Sequence, residues 1–248
     1  MPPVSAEPSG GQFYDDVVTA RYLEHRYSDA SSPNVVMEEP AVLAHLGDLA
    51  GLRVLDLGCG DGAFAEIVLG RGARSYVGID GSQAMINAAR SRERSPEATF
   101  ELGNIEVLQQ APGSADLVTA RMALHYVRDL PATLRAVART LTSHGRFIFT
   151  VAHPVITSHD NDITGLRTNW TVDHYFEAGE RHRSWFGCEV TWFHRTIEQY
   201  VAAVLGAGFS VEAVSECEPD EQQLKAAPEE LARRRRVPLM LLISARLR

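Results

Sequence analysis

Short apolar runs alternate with segments of helical periodicity through most of the chain. The run Arg53–Leu57 is followed by glycine, and the next segment carries Phe64, Ile67 and Val68 at the i, i+3 and i+4 positions of one helix face. Ser82 is placed to cap a later helix. Similar apolar runs follow, with helical segments between them, at residues 75–79, 99–102, 115–119 and 146–151. Repeated strand–helix units predict an α/β fold, a parallel sheet with helices on both faces.

The last third of the chain departs from this alternation. The segment Thr196-Ile197-Glu198-Gln199 has the sequence of a capping box, which predicts the start of another helix. Residues 209–214 and 239–243 then predict a closing pair of strands, separated by a long polar connection. The predicted sheet is therefore mostly parallel and ends in this closing pair.

The pattern divides the chain into three parts. Residues 1–12, rich in proline, serine and glycine, predict a disordered tail. Residues 13–49 are helical and polar-aromatic, broken at Ser31-Ser32-Pro33-Asn34, and predict a helical lid. Residues 50–248 predict the main domain, in which residues 153–194 form an aromatic-rich insertion.

Composition and charge narrow the classes of function. Apolar residues make up 45% and charged residues 23% of the chain, as in globular proteins, and the net charge of −8 argues against a nucleic-acid partner. Three cysteines without a spacing motif indicate neither a disulfide framework nor a zinc site. We see no signal peptide, and no apolar run approaches the ~20 residues that cross a membrane. We therefore expect a cytoplasmic monomer or homodimer with no membrane partner.

A glycine-rich loop follows the first predicted strand. Its sequence, Gly58-Cys59-Gly60-Asp61-Gly62, lets the backbone approach a ligand closely and leaves amides free to receive it. With Ala63 after them, the same residues also satisfy the dinucleotide fingerprint. The loop alone therefore leaves two cofactor classes open, and a purely structural turn is a third alternative.

Two carboxylates near the loop bear on that choice. Asp56 precedes Gly58 by two residues, where it would repel a diphosphate but attract the α-amino cation of a methionine group. Asp80 ends the second strand, where a carboxylate can accept both ribose hydroxyls of either cofactor class. Asp56 therefore favours S-adenosylmethionine, whereas Asp80 indicates only a nucleoside.

Taken in order, these motifs resemble a known series. Asp56-Leu57-Gly58-Cys59-Gly60, Asp80, Gly103-Asn104 and Asp116-Leu117-Val118 are similar to the motifs of class I S-adenosylmethionine-dependent methyltransferases, especially their small-molecule branch (methyltransferase type 11, UbiE-like). The resemblance is close over residues 50–151 and loose elsewhere. It implies a Rossmann-like, seven-stranded sheet with an antiparallel closing strand. It also implies an enzyme that uses S-adenosyl-L-methionine and releases S-adenosyl-L-homocysteine.

The resemblance further implies where the cofactor would bind. The methionine part would lie at the glycine loop beside Asp56, the ribose at Asp80, and the adenine between Met85 and residues 104–105. Met85 is equally explained as a helix core residue. The family usually has Asp where this chain has Asn104, whose amide oxygen can also accept a hydrogen bond. In the lid, Arg21 or Arg26 suits the methionine carboxylate, although this helix could equally present a solvated amphipathic face. The full expected set is Arg21, Arg26, Asp56, Gly58, Cys59, Gly60, Asp80, Gly81, Met85, Asn104, Ile105 and Arg121.

The aromatic insertion indicates the acceptor site. Residues 153–194 hold all three tryptophans and five of the nine histidines, and they begin at the carboxyl end of the fifth strand, where parallel sheets bind ligands. These rings suggest a cap over a flat or apolar acceptor, although they could equally pack the insertion onto the sheet. For His125 a structural role is the stronger alternative. The expected acceptor-binding residues are Tyr22, Met122, His125, Trp170, Tyr175, Trp185 and Trp192.

Two histidines are candidate general bases. Methyl transfer needs the acceptor held in line, about 3 Å away, and a hydroxyl acceptor benefits from a base near neutral pH. His153 follows the fifth strand and His194 ends a strand-like segment, so either can serve, with a structural hydrogen bond as the alternative. We expect no metal, because no spacing matches a site and Arg121 stands where magnesium-dependent catechol methyltransferases carry carboxylates.

These observations predict methyl transfer from S-adenosylmethionine to an oxygen or nitrogen atom of a small molecule such as a secondary metabolite. Methylation of a macromolecule, tRNA or protein, is one alternative. A second is a protein of this fold that binds the cofactor but catalyses a non-methylating cyclisation. A nicotinamide-dependent dehydrogenase is a further alternative, which Asp56 disfavours.

Overall fold

A computed structural model describes residues 16–28, 31–159, 169–185 and 188–248 of the chain. The predicted tail at residues 1–12 lies outside the described residues. The helices are α1 Asp16–Ser28, α2 Glu39–His45, α3 Ala63–Gly70, α4 Gln83–Arg92, α5 Leu130–Thr140, α6 Pro154–Thr157, α7 Ile197–Gly206 and α8 Pro228–Arg234. A π-helical turn, Asn34–Glu38, leads directly into α2. The break predicted at residues 31–34 therefore lies between α1 and this turn.

The strands form one large sheet and one hairpin. They are β1 Arg53–Leu57, β2 Ser75–Asp80, β3 Ala98–Leu102, β4 Ala115–Arg121, β5 Leu141–Ala152, β6 Gly179–Trp185, β7 Cys188–His194, β8 Phe209–Glu216 and β9 Met240–Leu247. The seven-stranded sheet has the order β3-β2-β1-β4-β5-β9-β8, and β6 pairs with β7.

The large sheet is parallel except for one strand. The first five strands pair in parallel, whereas β9 runs antiparallel to both β5 and β8. The predicted fold class, a mostly parallel seven-stranded sheet with an antiparallel closing strand, is confirmed. Because the order reverses at β1, the loops after β1 and β4 diverge and leave a crevice between them.

Helices cover both faces of this sheet, which buries a core on each side. On one face Val54, Tyr76 and Leu117 pack with residues of α2 and α3 such as Val42 and Phe64. On the other face the sheet packs with residues of α5 and α7, and its core includes Leu55, Val118, Phe147, Leu134 and Tyr200. Strands buried on both faces read as continuous apolar runs, which is why their positions were predictable.

Two predicted helix caps are present. The Ser82 hydroxyl accepts a hydrogen bond from the Met85 backbone N–H at 3.2 Å and begins α4. In the capping box, the Gln199 N–H donates to Thr196 Oγ1 at 3.2 Å, and the Thr196 N–H donates to Gln199 Oε1 at 2.9 Å. The strand β5 is longer than predicted, because it begins at Leu141, which pairs with Ala115 ahead of a register shift.

The insertion after β5 contains the β6–β7 hairpin, which packs on the end of the sheet. Val190 and Trp192 of β7 bury against Ala152 and Ile156, with the half-buried Trp170 beside them. No helix in the described part of the chain is long and apolar enough to cross a membrane.

Candidate functional site

A cavity opens at the carboxyl ends of β1 and β4, beside the point where the strand order reverses. Ligands of parallel sheets bind at such switch points. The cavity encloses about 1020 Å³ of empty space, including the part open to solvent. Its walls come from α1, the π-helical turn, the glycine loop and the residues that follow β2, β3 and β4.

The three positions of the loop after β1 that hold glycine require it for different physical reasons. All have positive φ, 74° at Gly58, 56° at Gly60 and 73° at Gly62, a backbone conformation that disfavours side chains. A Cβ on Gly58 would lie 2.5 Å from the Cβ of Ala123, and one on Gly62 would lie 2.8 Å from the Phe100 ring. A Cβ on Gly60 would have no atom within 4 Å. Gly58 and Gly62 therefore permit close packing, and Gly60 leaves the backbone open to a ligand.

Three amides of the loop are used inside the protein, ahead of the start of α3. The N–H groups of Gly58 and Cys59 donate to the Ile79 carbonyl at 2.7 and 3.0 Å. The Gly60 N–H donates to Asp80 Oδ2 at 2.9 Å. A dinucleotide loop needs such amides for the diphosphate, so their use here argues against that cofactor.

Asp80 is half-buried at the end of β2. Its other oxygen, Oδ1, accepts the Ser82 N–H at 2.9 Å. Burial raises the pKa of Asp80, and the hydrogen bonds from Ser82 and Gly60 oppose that rise. Each carboxylate oxygen has a second lone pair, so Asp80 can still accept ribose hydroxyls on the cavity side.

Asp56 lies deeper, where β1 meets β2 and β4. The Tyr76 hydroxyl donates to its Oδ2 at 2.6 Å and the Thr119 hydroxyl donates to its Oδ1 at 2.7 Å. Burial raises the pKa of Asp56, and these two hydrogen bonds oppose the rise. Tyr76 and Thr119 thus orient this carboxylate, and Asp56 also lines the cavity.

A buried ion pair forms another wall, and sequence analysis missed its acid. Arg121, at the end of β4, donates from Nε to Glu38 Oε1 at 3.0 Å and also bonds Glu38 through Nη2. The Thr150 hydroxyl donates to Glu38 Oε1 at 2.8 Å. Burial alone would lower the pKa of Arg121, but Glu38 outweighs this effect and the pKa is raised. In the sequence Glu38 resembles any solvated helix acid, and only the π-helical turn directs it inward.

Acidic groups outnumber basic groups along the cavity. Five carboxylates line it, against two guanidinium groups, and the carboxylates are those of Glu38, Asp56, Asp61, Asp80 and Glu106. Such a wall repels a diphosphate and attracts a ligand that carries ammonium or sulfonium charge. This set of charged side chains therefore fits S-adenosylmethionine better than a nicotinamide dinucleotide.

Comparison with known proteins gives the same result. A family described as "Methyltransferase domain" matches residues 55–149. A crystal structure of an S-adenosylmethionine-dependent methyltransferase from Mesorhizobium loti is 33% identical, with a TM-score of 0.78 and coverage of 87% of this chain and 98% of that one. A protein from Listeria monocytogenes assigned to the same class is 35% identical, with a TM-score of 0.75 and coverage of 85% and 98%.

The chain belongs to the S-adenosylmethionine-dependent methyltransferases. Its cofactor is accordingly S-adenosyl-L-methionine. A ubiquinone biosynthesis O-methyltransferase from Acinetobacter baylyi is also similar, 38% identical over 109 residues. That match covers 42% of this chain and 45% of the relative, so it extends over less than half of either protein.

In this methyltransferase, eleven of the twelve expected cofactor residues line the cavity. The exception is Arg21, which lies on the exposed side of α1 and is not among the lining residues. The eleven are Arg26, Asp56, Gly58, Cys59, Gly60, Asp80, Gly81, Met85, Asn104, Ile105 and Arg121. Met85 is also 2% exposed, so its position is compatible with the core role weighed above.

Two of the expected acceptor residues, Tyr22 and Met122, line the cavity of the methyltransferase. Met122 has a φ of 50°, a strained value for a side-chain-bearing residue, and its N–H donates to the Thr150 carbonyl at 3.0 Å. Strain of this kind collects at functional sites. Sequence analysis did not single out Phe64 or Tyr126 as site residues, although both line the same cavity.

The two candidate bases do not line the cavity. His153 caps α6 through Nδ1, which accepts the Val155 N–H at 3.2 Å, and its Nε2 lies 3.0 Å from Glu216 Oε1. His194 bonds the Thr157 hydroxyl at 2.7 Å and the Tyr175 carbonyl at 2.9 Å. Burial lowers the pKa of each histidine. Both rings are therefore engaged in structural contacts, the alternative that sequence analysis had left open.

The described aromatic residues expected at the acceptor site, apart from Tyr22, also stay away from the cavity. The Trp170 indole donates to the Val155 carbonyl at 2.9 Å, and Tyr175 packs edge-on against His194. Trp192 is buried with its ring 4.8 Å from that of His125. Burial lowers the pKa of His125 to about 3, so this ring is neutral. None of these four residues is among the cavity-lining residues, and the Trp185 side chain lies outside the described residues.

One motif residue has a structural role at the opposite end of the sheet. Asp116 begins β4, and its Oδ2 accepts both the backbone N–H and the Nε of Arg53, at 2.9 and 3.0 Å. The Arg53 guanidinium lowers the pKa of Asp116 to about 2. Among the described residues, no group of three or more His, Cys, Asp or Glu side chains is arranged to hold a metal ion.

Proposed function

We propose that this methyltransferase transfers a methyl group to an oxygen or nitrogen atom of a small molecule. One observation carries the proposal: the cavity that the expected cofactor residues line is also lined by Tyr22, Phe64, Met122 and Tyr126. Aromatic rings and a thioether form the apolar walls that bind small flat ligands. The acceptor class is thus a compact, uncharged or cationic molecule, because the acidic wall disfavours anions.

The cofactor roles follow the chemistry of each side chain. Asp80 accepts the ribose hydroxyls, Asp56 attracts the methionine ammonium group, and Arg26 binds the methionine carboxylate. Met85, Asn104 and Ile105 receive the adenine. Gly60 leaves room for the backbone to approach the cofactor, since no atom lies within 4 Å of a Cβ built there.

The reaction is a displacement at carbon. S-adenosylmethionine, held by the residues named above, would supply a methyl group activated by its sulfonium. S-adenosylhomocysteine would be the leaving product, and the proton of a hydroxyl or amine acceptor would pass to solvent. The chain's contribution is to align the acceptor and exclude water. His153 and His194 have no role in this proposal, because both ring nitrogens of each histidine are used in hydrogen bonds.

The relatives support an oxygen acceptor. The similar protein from Acinetobacter baylyi is a ubiquinone biosynthesis O-methyltransferase, and its name places a hydroxyl among the acceptors of that enzyme. The net charge of −8 disfavours tRNA as the acceptor, because RNA binding draws on basic surfaces.

Transfer of label tests the proposal. The purified protein is incubated with methyl-labelled S-adenosylmethionine and a cell extract, which is then separated into small-molecule, RNA and protein fractions. We expect label in the small-molecule fraction, and less of it with Gly60→Val, whose side chain would enter the cavity. Label confined to RNA or protein contradicts the proposal, and unchanged cofactor beside a rearranged product favours the cyclase alternative.

A further inference from the structure

Three charged or phenolic side chains join α1 to the cofactor loop. The Tyr27 hydroxyl donates to Asp61 Oδ2 at 2.6 Å, and Arg92 Nη2 lies 2.8 Å from the same oxygen. The Arg92 guanidinium also lies over the Tyr27 ring, 4.8 Å from its centroid. Each member of this Tyr27–Asp61–Arg92 cluster thus contacts the other two.

The cluster joins three elements that surround the cofactor site. Tyr27 is near the carboxyl end of α1, Arg92 ends α4, and Asp61 lies in the glycine loop between Gly60 and Gly62. α4 starts beside Asp80 and carries Met85, so Arg92 belongs to the helix that borders the expected nucleoside site. A shift of any one element strains the contacts of the other two.

Asp61 is the central member. It is 4% exposed, although it lies in a loop, and a buried carboxylate is stable only with partners of this kind. Burial and the bond to Asp61 raise the pKa of Tyr27 to about 12, so its hydroxyl stays protonated and donates over the physiological range. The same Asp61 also lines the cavity, which puts the cluster next to the ligand.

The helix α1, which carries Tyr27, also carries residues that line the cavity. Tyr22 and Arg26, five residues and one residue before Tyr27, both line the cavity, and Arg26 Nη1 donates to the Tyr22 hydroxyl at 3.1 Å. Two described side chains of α1, Val18 and Thr19, are buried, whereas Val17 is 58% exposed. α1 therefore buries few of its described side chains, and the contacts of Tyr27 add to its attachment.

We propose that the Tyr27–Asp61–Arg92 cluster holds α1 closed over the cofactor cavity, and that cofactor and product exchange requires this cluster to open. Tyr27 and Arg92 are positioning residues that act through Asp61, and neither lines the cavity. This inference concerns the cofactor side and does not depend on the acceptor, so it stands or falls separately from the proposed function.

A gate has a kinetic signature that a direct binding contact does not have. The cluster contains no ligand atom, so it forms in the closed protein whether or not the cofactor is bound. Weakening it therefore eases the opening of α1 both before and after the cofactor binds. Association and dissociation rates then rise by similar factors, and the dissociation constant changes little. A contact made only to the bound ligand would instead raise the dissociation rate and the dissociation constant together.

Exchange of S-adenosylhomocysteine tests the gate. Wild type, Tyr27→Phe and Arg92→Ala are loaded with radiolabelled S-adenosylhomocysteine and chased with unlabelled compound, while titration calorimetry gives the dissociation constant. We expect the dissociation rate of Tyr27→Phe to rise about tenfold, the effect of losing a hydrogen bond to a charged group. The dissociation constant should change less than about threefold, and Arg92→Ala should shift in the same direction.

Arg94→Ala is the matched control, since Arg94 is an exposed arginine two residues beyond Arg92. It removes the same charge and should leave the exchange rates at their wild-type values. Exchange rates of Tyr27→Phe that stay within about twofold of wild type would overturn the gate, because so small a difference is below the effect of even a weak hydrogen bond. An equal rise in dissociation rate and dissociation constant, with an unchanged association rate, would overturn it as well.

Discussion

At the scale of single residues, the buried pair of Glu38 and Arg121 places two opposite charges in the cavity wall. Glu38 is 1% exposed, and the Arg121 guanidinium lies 4.4 Å from the centre of the Phe64 ring. Removing two charges from water costs about as much as their attraction returns, so such a pair is weak evidence for stability. Its place in the cavity wall suggests instead that it is kept for binding and for fixing the position of the π-helical turn.

A double-mutant cycle at this pair tests that view. Arg121→Met should destabilise the protein by about 3–5 kcal/mol, because it leaves a buried carboxylate unpaired. Adding Glu38→Leu should recover most of that loss, since no charge then remains buried without a partner. Urea unfolding without ligand measures both changes. A double variant whose destabilisation equals the sum of the two single variants would contradict this interpretation.

At the scale of elements, α7 shows local sequence and tertiary packing in agreement. Its capping box was evident from Thr196 and Gln199, and both hydrogen bonds are made. The helix then buries Tyr200 and Val204 in the core against β5 and β9. The capping box fixes where the helix begins, and so fixes which face meets the sheet.

Removal of the Thr196 cap of α7 should destabilise the protein moderately. We expect Thr196→Ala to lower the free energy of unfolding by about 1 kcal/mol, because the orphan N–H of Gln199 loses its acceptor. Thr171→Ala, at an exposed threonine outside the helices and strands, is the control and should change little. Equal stability of the two variants in urea titrations would show that the cap contributes nothing.

At the scale of the whole molecule, the cavity exists because the strand order reverses beside β1. Strands distant in sequence thereby bring Asp56, Asp80 and Arg121 to one edge of the sheet, and α1 and the π-helical turn add Arg26 and Glu38. Carboxylates dominate this edge. The fold thus positions the cavity, and the negative charge of the cavity wall favours a cationic ligand over an anionic one.

The change in Tm on adding each ligand should show that the cavity favours S-adenosylhomocysteine over NAD. At one hundred times its dissociation constant, S-adenosylhomocysteine should stabilise the protein by about 2.7 kcal/mol, which raises Tm by roughly 5–10 °C for a chain of this size. NAD at the same concentration should leave Tm unchanged, because its diphosphate meets carboxylates and finds the loop amides in use. A comparable shift with NAD would contradict the cofactor assignment at this site.

Prediction from the sequence succeeded where the signal was local or periodic. The parallel strands, the glycine loop, Asp80 at the end of β2 and the capping box were all found, because apolar runs and turn residues express them directly. Roles that depend on distant partners were not found. Glu38 and Asp61 carry no local sign of their burial, and Tyr27 carries none of its contact with Asp61. The histidines His153 and His194 resemble bases until their hydrogen-bond partners are known.

The sequence by itself determined the fold class and the cofactor, since alternating strands and helices, the glycine loop and Asp56 are short-range patterns with few physical solutions. Only the tertiary structure decided which side chains line the cavity. It placed His153, His194, Trp170 and Trp192 in structural contacts away from the cavity, and it brought Glu38 to Arg121 and Tyr27 to Asp61. These contacts join residues 83 and 34 positions apart. Such pairs leave no periodic trace, because their chemistry depends on distance in space and not on spacing along the chain.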